Sequence, residues 1–308
     1  MADWCSLFCG NPTETISAID DNAQRIKNTY NVFDAEERVR LRTQLGLTRA
    51  ADVKCLQQLT AGLEEINVLD IGCNDGMWIR DRISKLEKPC RVVGIEIDTA
   101  MAENAKTAFP EMVIINADAE SADFLDTVHK QVPNDVRFDL ITLSMVLLHV
   151  KDVGKVLRNV RELLAPDGYL FIRDMNDELT VSSPDPEEIV KHMLEISDKV
   201  PYTGYRHNGA ELYTDLRRCG YSRIQSIPDV VDVTTVIDGV TEYDIREHLF
   251  VTNFNYVKGD TDLACISDPA VFSEDCEYVH ENFEKLHRKF HETDYYYRMG
   301  TVLFVAQK

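Results

Sequence analysis

Apolar runs alternate with amphipathic stretches through the middle of this chain. Five of the runs have the length of buried strands, and helical patterns separate them: 67–71, 91–96, 112–116, 138–143 and 168–173. The clearest helical pattern covers 152–164, where Val153, Val156, Leu157 and Val160 share one apolar face. Such alternation is typical of βα units that build a parallel sheet, so it predicts a doubly wound α/β fold.

The flanking segments extend this pattern on both sides. Toward the start of the chain, Asn11 caps one predicted helix, and Gly46 ends a second one that begins at Asp34. Beyond the alternating region, the pattern predicts helices at 187–199 and 209–219 and a short strand at 223–227. The segment GTVLFVAQ before Lys308 has the composition of a closing strand, which makes the predicted sheet mixed and seven-stranded.

These elements predict one domain over residues 1–308. We expect a helical N-terminal cover at 1–60 and a doubly wound core formed by 61–228 and 298–308. Residues 229–297 are longer than a simple connection between strands, so we interpret them as an insert that forms a cap or lid before the last strand.

Charge and composition narrow the range of partners and locations. The chain has 33 basic and 53 acidic residues and a formal net charge of −20, which disfavours a nucleic-acid partner. No apolar run approaches the roughly 20 residues of a membrane span, so no membrane partner is expected. The start of the chain has no basic segment followed by an apolar one, and we expect a cytoplasmic location. Eight cysteines without CxxC pairs indicate reduced thiols.

The segment VLDIGCNDGMW, residues 68–78, runs from a predicted buried strand through a glycine turn into a helix. Gly72 and Gly76 permit positive φ and a close backbone approach to a ligand. Asn74 is a residue type that tolerates the left-handed conformation well. Asp70 comes at the carboxyl end of the strand, beside the turn. This turn predicts a binding site at one edge of the sheet.

Two further acidic residues fall at the same predicted edge. Glu96 ends the next strand about 20 residues after the glycine turn, where a carboxylate accepts hydrogen bonds from a ribose diol. Asp118, followed by Ala119, comes just after the third strand and is placed to accept a hydrogen bond from an adenine amino group. The spacing of these acids predicts a nucleoside ligand.

Taken together, these motifs resemble the class I S-adenosylmethionine-dependent methyltransferases over roughly residues 65–175. The resemblance implies a Rossmann-like core and S-adenosylmethionine as cofactor. It also implies which residues contact the cofactor. The methionine part would meet Asp70, Gly72, Cys73, Asn74 and Gly76, and the ribose would meet Glu96 and Ile97. The adenine would meet Asp118 and Ala119, and Ser144 and Met145 at the end of the fourth strand would also lie near the cofactor.

One alternative with the same fold is a dinucleotide-dependent dehydrogenase. Its GxGxxG fingerprint needs a third glycine three residues after the second, and this chain has Ile79 there. The chain also departs from many methyltransferases, because Asn74 replaces the middle glycine of GxGxG. That change is chemically mild, and the methyl-donor interpretation is preferred.

Methyl transfer is an in-line displacement that needs alignment more than a fixed triad. Where a general base is used, we expect His149 or Asp174, because both follow the carboxyl ends of predicted strands. His149 has the alternative of a capping or packing role. Asp174 belongs to an acidic cluster with Asp177 and Glu178, which either holds a cationic amine or lies in a solvated loop.

A predicted helix at 274–292 carries Cys276, His280, His287 and His291 on its flank. The pairs Cys276/His280 and His287/His291 have the i, i+4 spacing of metal ligands, but all four together are too far apart for one ion. We interpret them as a partly buried helix flank and assign no metal.

The function that the sequence favours is O- or N-methylation of a small-molecule acceptor by this S-adenosylmethionine-dependent enzyme. RNA or protein methylation is the alternative and would need a basic or peptide-sized groove. An alternative of another class is a non-catalytic protein that binds the nucleoside and acts through dimerisation. A second copy of the chain, in a homodimer, remains an alternative partner.

Overall fold

A computed structural model of the protein describes residues 35–201 and 203–308. The strands of these residues, in chain order, are β1 (Ile66–Ile71), β2 (Cys90–Glu96), β3 (Val113–Asn116), β4 (Phe138–Ser144), β5 (Leu164–Met175), β6 (Val181–Ser183), β7 (Ser222–Ser226), β8 (Val231–Asp232), β9 (Tyr296–Met299) and β10 (Thr301–Gln307). Two short 3-10 turns, Leu147–His149 and Asp177–Leu179, follow β4 and β5.

The helices of the same residues, in chain order, are α1 (Ala35–Leu59), α2 (Met77–Ile83), α3 (Thr99–Ala108), α4 (Phe124–His129), α5 (Val153–Leu163), α6 (Ile189–Lys199), α7 (Asn208–Arg218), α8 (Glu242–Ser267) and α9 (Pro269–Phe290). Within this described part of the chain, none of them combines the length and hydropathy that a membrane-crossing helix needs.

The central sheet has seven strands in the order β3-β2-β1-β4-β5-β10-β7. The first five of these run parallel, and β10 is antiparallel to both β5 and β7. The predicted doubly wound, mixed, seven-stranded architecture is therefore confirmed. The register brings the carboxyl ends of β1, β2, β3 and β4 to one edge, as the pairing of Glu96 with Asn116 illustrates.

Helices cover both faces of this sheet because each strand sends alternate side chains to opposite sides. On β1, Leu69 and Ile71 join the cluster that includes Leu157 of α5, whereas Val68 joins the cluster that includes Leu56 of α1. The first face carries α4, α5 and α7, and the second carries α1, α2 and α3. The carboxyl edge of the sheet is left for other elements to cover.

A further hydrophobic cluster lies beside that edge and is built largely by the segment between β7 and β10. It combines α6, α8 and α9 with a small sheet in the order β6-β9-β8. Stacked and edge-on aromatic side chains fill it, among them Phe254, Phe290 and Tyr297. The small sheet has no counterpart among the sequence predictions, because its strands are too short to show an alternating pattern.

The predicted end of a helix at Gly46 is wrong, because α1 continues to Leu59. A mid-helix glycine costs about 1 kcal/mol relative to alanine, and burial of the second half of the helix outweighs that cost. Leu47 and Leu56 are buried there, and Arg82 of α2 donates a hydrogen bond to the Leu45 carbonyl. The helix predicted to start at Asn11 lies outside the described residues.

Candidate active site

The chain makes a tight left-handed turn between β1 and α2. Gly72, Asn74 and Gly76 have φ values of +68°, +52° and +80°, which confirms the conformation predicted for them. A Cβ atom on Gly72 would lie 2.6 Å from Cγ2 of Val146, so only glycine lets this turn pack against the segment that follows β4. The turn therefore lies directly beside the end of the neighbouring strand.

Glu96, at the end of β2, is tied to this turn. Its Oε2 accepts a hydrogen bond from the Asn74 backbone N–H at 2.8 Å, and its Oε1 accepts one from the Asp98 N–H at 2.9 Å. Burial raises the pKa of Glu96, and the two backbone hydrogen bonds act against that rise. Each carboxylate oxygen has a second lone pair, so Glu96 can still accept hydrogen bonds from two hydroxyl groups.

Asp70 lies at the bottom of the same cleft, at the end of β1. Its Oδ1 accepts a hydrogen bond of 2.6 Å from the Thr142 hydroxyl. Burial raises the pKa of Asp70 to about 7, the hydrogen bond from Thr142 lowers it, and the charge of Glu96 raises it. A cationic group of a ligand beside this carboxylate would restore its charge.

Asp118 and Ala119 line the cleft after β3, where backbone contacts hold their turn. Oδ1 of Asp118 accepts a hydrogen bond from the Glu120 N–H at 2.8 Å, and the Ala119 carbonyl accepts one from Asn159 at 2.8 Å. The second carboxylate oxygen of Asp118 has no protein donor in the described structure that would prevent contact with a ligand amino group. Ile97 lines the cleft as well.

The end of β4 contributes a second strained backbone position. Met145 has φ of +57°, and its N–H donates to the Arg173 carbonyl at 2.8 Å. A left-handed residue other than glycine costs on the order of 1 kcal/mol, and such strain is common where a ligand is bound. Ser144 and Met145 both line the cleft, and the 3-10 turn Leu147–His149 follows them.

His149 lines the cleft at that turn, under the segment 203–205. A Cβ atom on Gly204 would lie 2.9 Å from Nδ1 of His149 and 2.4 Å from the Leu148 carbonyl oxygen. Tyr205 donates its N–H to the same carbonyl at 2.6 Å. The imidazole is thus held against the wall of the cleft by a close backbone approach that only glycine allows.

Asp174 does not lie where a general base would need to be. Its side chain is fully buried and outside the lining of the cleft. It accepts hydrogen bonds from the Met175 N–H at 2.8 Å and from the Asn208 amide at 3.2 Å. Burial raises the pKa of Asp174 to about 7, and polar contacts that include the backbone of Leu147 and Leu148 act against that rise. We therefore correct the expected role: the fully buried Asp174 does not face an acceptor in the cleft.

Two of the residues expected to contact the cofactor, Cys73 and Gly76, do not present a side chain to the cleft. The Cys73 side chain is buried, and a Cβ atom on Gly94 would lie 2.7 Å from its sulfur, so only the backbone of Cys73 is available to a ligand. Gly76 is not part of the cleft wall. A Cβ atom there would approach the Phe109 ring to 2.9 Å, and its role is to shape the turn.

The cleft has a volume of about 1,100 Å³ and extends well past the turn and the acids. On one side it is covered by α1, through Leu41, Arg42, Gln44, Leu45 and Thr48. At the far end it is closed by the helical insert and the segment after α6, through Thr203, Arg206, Thr252, Asn253, Tyr256 and Met299. These residues carry no sequence motif, and their contribution depends on how the helices pack.

Arg206 is the charged residue at that far end. Its guanidinium makes a bidentate pair with Asp177, with Nε to Oδ2 at 2.5 Å and Nη2 to Oδ1 at 2.8 Å, and lies 4.9 Å from the centre of the Tyr256 ring. Both interpretations of the acidic cluster from the sequence are wrong for Asp177, because it is buried and neutralised by Arg206. The result is an electrically balanced far wall that carries polar side chains such as Thr252 and Asn253.

A buried charge network holds α1 over the cleft. Asp52 of α1 accepts hydrogen bonds from Arg82 at 2.7 Å and from Arg173 at 2.7 Å, and Arg173 also pairs with Asp229 at 2.5 Å. All four side chains have less than a tenth of their surface exposed. Removal of one partner from such a network leaves an uncompensated buried charge, which costs about 3–5 kcal/mol.

The donors and acceptors of the near end fit a nucleoside carrying an amino-acid chain. Glu96 offers two carboxylate oxygens for a ribose diol, Asp118 offers one for an amino group, and Asp70 offers a carboxylate for a cation. A dinucleotide fingerprint needs a third glycine to pack the helix against the strand, and the buried Ile79 occupies that position. The near end thus suits S-adenosylmethionine.

Comparison with known proteins points to the same family. A family model described as a methyltransferase domain matches residues 41–225. The ubiquinone biosynthesis O-methyltransferase of Histophilus somni is 31% identical over 134 residues, which are 43% of this chain and 53% of that protein. An uncharacterized 37.1 kDa protein in transposon TN4556 of Streptomyces fradiae is 25% identical over 171 residues, 55% of this chain and 46% of that protein. The chain spans about half the length of the curated relatives it matches.

Solved structures share the fold at low sequence identity. The plantazolicin methyltransferase BamL, in complex with a triazolic desmethylPZN analog and SAH, has a TM-score of 0.51 and 13% identity, over 93% of this chain and 96% of that one. The CurJ carbon methyltransferase has a TM-score of 0.52 and 13% identity, over 92% of this chain and 60% of that one. The family match spans more than half of the chain and contains the glycine turn, Glu96 and Asp118. This chain belongs to the class I S-adenosylmethionine-dependent methyltransferases.

Proposed function

We propose that this protein transfers a methyl group from S-adenosylmethionine to an oxygen or nitrogen atom of a small molecule held in the far end of the cleft. The observation that carries the proposal is one continuous cleft with two chemically different ends. Pockets for a single small ligand measure about 300–1,000 Å³, and this cleft of about 1,100 Å³ has room for a donor and a small acceptor.

The walls of the far end favour a small acceptor over a polymer. The α1 and α8 helices pack against each other, and both contribute lining residues, such as Leu41 and Asn253. The basic Arg206 is neutralised by Asp177, so Arg206 offers no free positive charge for a phosphate backbone. The net charge of −20 adds to that argument against an RNA substrate.

The bound donor supplies an electrophilic methyl group, and the chain's own residues supply alignment. Asp70, Glu96, Asp118 and the backbone of the glycine turn, with Ile97, Ala119, Ser144 and Met145 beside them, are the proposed donor contacts. They leave the acceptor to approach from the side of Leu148 and Met175. Alignment of this kind accounts for a large part of the rate of a displacement between two bound reactants.

His149 is the proposed group that accepts a proton from the acceptor. It lies on the wall between the two ends of the cleft, where a hydroxyl or amine in line with the methyl group would be within reach. Asp174 lies beside the Leu147–His149 turn, whose backbone influences its pKa, and would keep that turn in place. In this proposal Asp174 is a positioning residue.

The proposal is tested with S-adenosylmethionine that carries a radioactive methyl group. The purified protein is incubated with a cell extract that has been separated into small molecules, RNA and protein, and the label in each fraction is counted. We expect label in the small-molecule fraction, and the Glu96→Ala variant as control should abolish it. Label confined to RNA or protein would replace the proposal by the polymer alternative. Donor binding without label in any fraction would favour the non-catalytic nucleoside-binding alternative.

A further inference from the structure

The hairpin of α8 and α9 brings together side chains that the sequence keeps far apart. Asp262 lies near the end of α8, and Cys276 and His280 lie one helical turn apart on α9. Nε2 of His280 lies 2.5 Å from Oδ1 of Asp262, and the sulfur of Cys276 lies 3.4 Å from the same oxygen. The three potential ligand atoms all lie within 4.8 Å of one another.

A second thiol adjoins this cluster. Cys265 is one turn after Asp262 on α8, and its thiol is a near neighbour of the Cys276 thiol, just outside the group of three. Each helix therefore offers two donors on facing turns, Asp262 with Cys265 and Cys276 with His280. Two sulfurs, one imidazole nitrogen and one carboxylate oxygen form a donor set that suits tetrahedral zinc.

We propose that Asp262, Cys265, Cys276 and His280 bind one zinc ion that joins α8 to α9. In a tetrahedral zinc site, neighbouring ligand atoms lie ~3.3–3.8 Å apart, as follows from bond lengths of ~2.0 Å to nitrogen and oxygen and ~2.3 Å to sulfur. The 3.4 Å between Cys276 and Asp262 already has that value. The Asp262–His280 pair has to open by less than ~1 Å, which rotation of a partly exposed side chain permits.

The charges around the cluster are compatible with a dication. Lys258 is the nearby cation, and its Nζ pairs with Oδ2 of Asp262 at 3.3 Å, which leaves Oδ1 directed at the site. Two thiolates and one carboxylate carry three negative charges, and zinc together with Lys258 carries three positive ones. The loaded site would be neutral overall, with the protons of the two thiols released to solvent.

A second cluster on the same hairpin is the natural comparison. His287 and His291 both contact Oε2 of Glu247, at 2.7 Å and 2.9 Å. Those two imidazoles share one acceptor. The Tyr243 ring stacks on His291 with 4.1 Å between ring centres, and the Phe250 ring packs on His287 at 4.5 Å. They form a hydrogen-bonded and packed group of three, with no thiol among the described neighbours. We therefore assign the zinc to the Cys-containing cluster.

The consequence of the zinc site would be a rigid far wall of the cleft. Tyr256, which lines the cleft, precedes Asp262 by six residues on α8, a distance of roughly 9 Å along the helix. Thr203 also donates to Asp260 on the same helix at 3.2 Å. A metal that fixes the end of α8 against α9 would hold these residues in place without taking part in methyl transfer.

The test uses the purified 308-residue chain, zinc and cobalt(II). We expect about one equivalent of zinc by elemental analysis, and a sulfur-to-cobalt charge-transfer band after exchange. Cys276→Ser and His280→Ala should each weaken zinc binding at least ~100-fold, since even outer-sphere changes cost 10–100-fold. His287→Ala, a matched change at the second cluster, should leave the stoichiometry and the band unchanged.

Two further measurements use the wild-type protein, so they do not depend on whether a variant of a zinc ligand folds. A strong chelator should lower the melting temperature of the wild-type protein by about 5 °C or more, and added zinc should restore it. Zinc should also protect Cys265 and Cys276 from alkylation, as peptide mass spectrometry would show. A wild-type protein with no zinc and no cobalt–sulfur band overturns the proposal. So does a band that keeps its full intensity in Cys276→Ser, or zinc that is lost in His287→Ala.

Discussion

The carboxylate of Glu96 accepts a hydrogen bond from the backbone N–H of Asn74 at 2.8 Å, across two strands of the sheet. This contact joins the two parts of the donor site, the glycine turn after β1 and the acid after β2, before any ligand is present. Because the turn is held in its left-handed conformation from within the protein, little of the binding free energy is needed to order it.

Glu96→Ala should therefore weaken the binding of S-adenosylhomocysteine at least about tenfold, because it removes both the ribose acceptor and the partner of the turn. Isothermal calorimetry measures the affinity, and thermal unfolding shows whether the variant is folded. Glu65→Ala is the matched control, because that glutamate is exposed and pairs with Arg91 on the surface. An unchanged affinity in Glu96→Ala would remove Glu96 from the ribose site.

Asp70 makes the stability of the ligand-free protein depend on pH. Its pKa is raised to about 7 by burial, against an ordinary value of 3.8, so the folded protein binds the proton more tightly than the unfolded chain. The stabilisation is complete below pH 4 and is lost as the pH rises through 7. Between pH 5 and 8, the wild type should lose about 2 kcal/mol of unfolding free energy relative to Asp70→Asn.

Denaturant unfolding at several pH values measures this difference. Thr142→Val is the informative companion, because the Thr142 hydrogen bond lowers the pKa of Asp70. Without it, the loss of stability should continue to higher pH and become larger, because its onset is fixed by the unfolded chain and its end by the raised pKa of folded Asp70. A wild type that becomes more stable than Asp70→Asn as the pH rises would contradict the assignment.

The buried network around Asp52 fixes α1 over the cleft. Asp52→Asn should lower the unfolding free energy by about 3 kcal/mol, because Arg82 and Arg173 lose the charge they share. Chemical denaturation measures this change in unfolding free energy. Glu103→Gln, which breaks an exposed pair with Lys106, should cost less than about 0.5 kcal/mol. Equal effects of the two changes would mean that the network adds nothing beyond a surface ion pair.

His149→Ala should lower the rate of methyl transfer by about 10²-fold or more and leave the affinity for S-adenosylhomocysteine within about twofold of the wild type. The labelled-methyl assay and calorimetry separate the two effects. His192→Ala, a change on the surface of α6, is the control. Asp174→Ala should also slow transfer but keep the pH profile of the wild type, since Asp174 only positions the turn. A rate unchanged in His149→Ala would exclude it as the base.

The pattern of the sequence was sufficient for the central sheet and the near end of the cleft. Strand periodicity, the glycine turn and the spacing to Glu96 and Asp118 are local features, and parallel strands necessarily bring their carboxyl ends to one edge. The prediction went wrong at Gly46 because tertiary contacts of Leu45 and Asp52 decide the length of α1. No local signal reveals contacts between residues so far apart in the chain.

The far end of the cleft could not be predicted for a related reason. Arg206 reaches Asp177 across a separation of 29 residues, and Tyr256 comes to it from a different helix. Asp174 has the sequence position of a base but a fully buried side chain, and only the packing of the 3-10 turn shows that its hydrogen bonds point inward. Such assignments depend on the direction of a side chain, which periodicity does not give.

The central claim is that the turn after β1, with Glu96 and Asp118, binds the methyl donor. Calorimetric titration of the wild-type protein with S-adenosylmethionine and with S-adenosylhomocysteine tests it most directly. We expect both ligands to bind at one site per chain, and S-adenosylhomocysteine to compete with S-adenosylmethionine. Binding of neither ligand by the folded protein would contradict the claim.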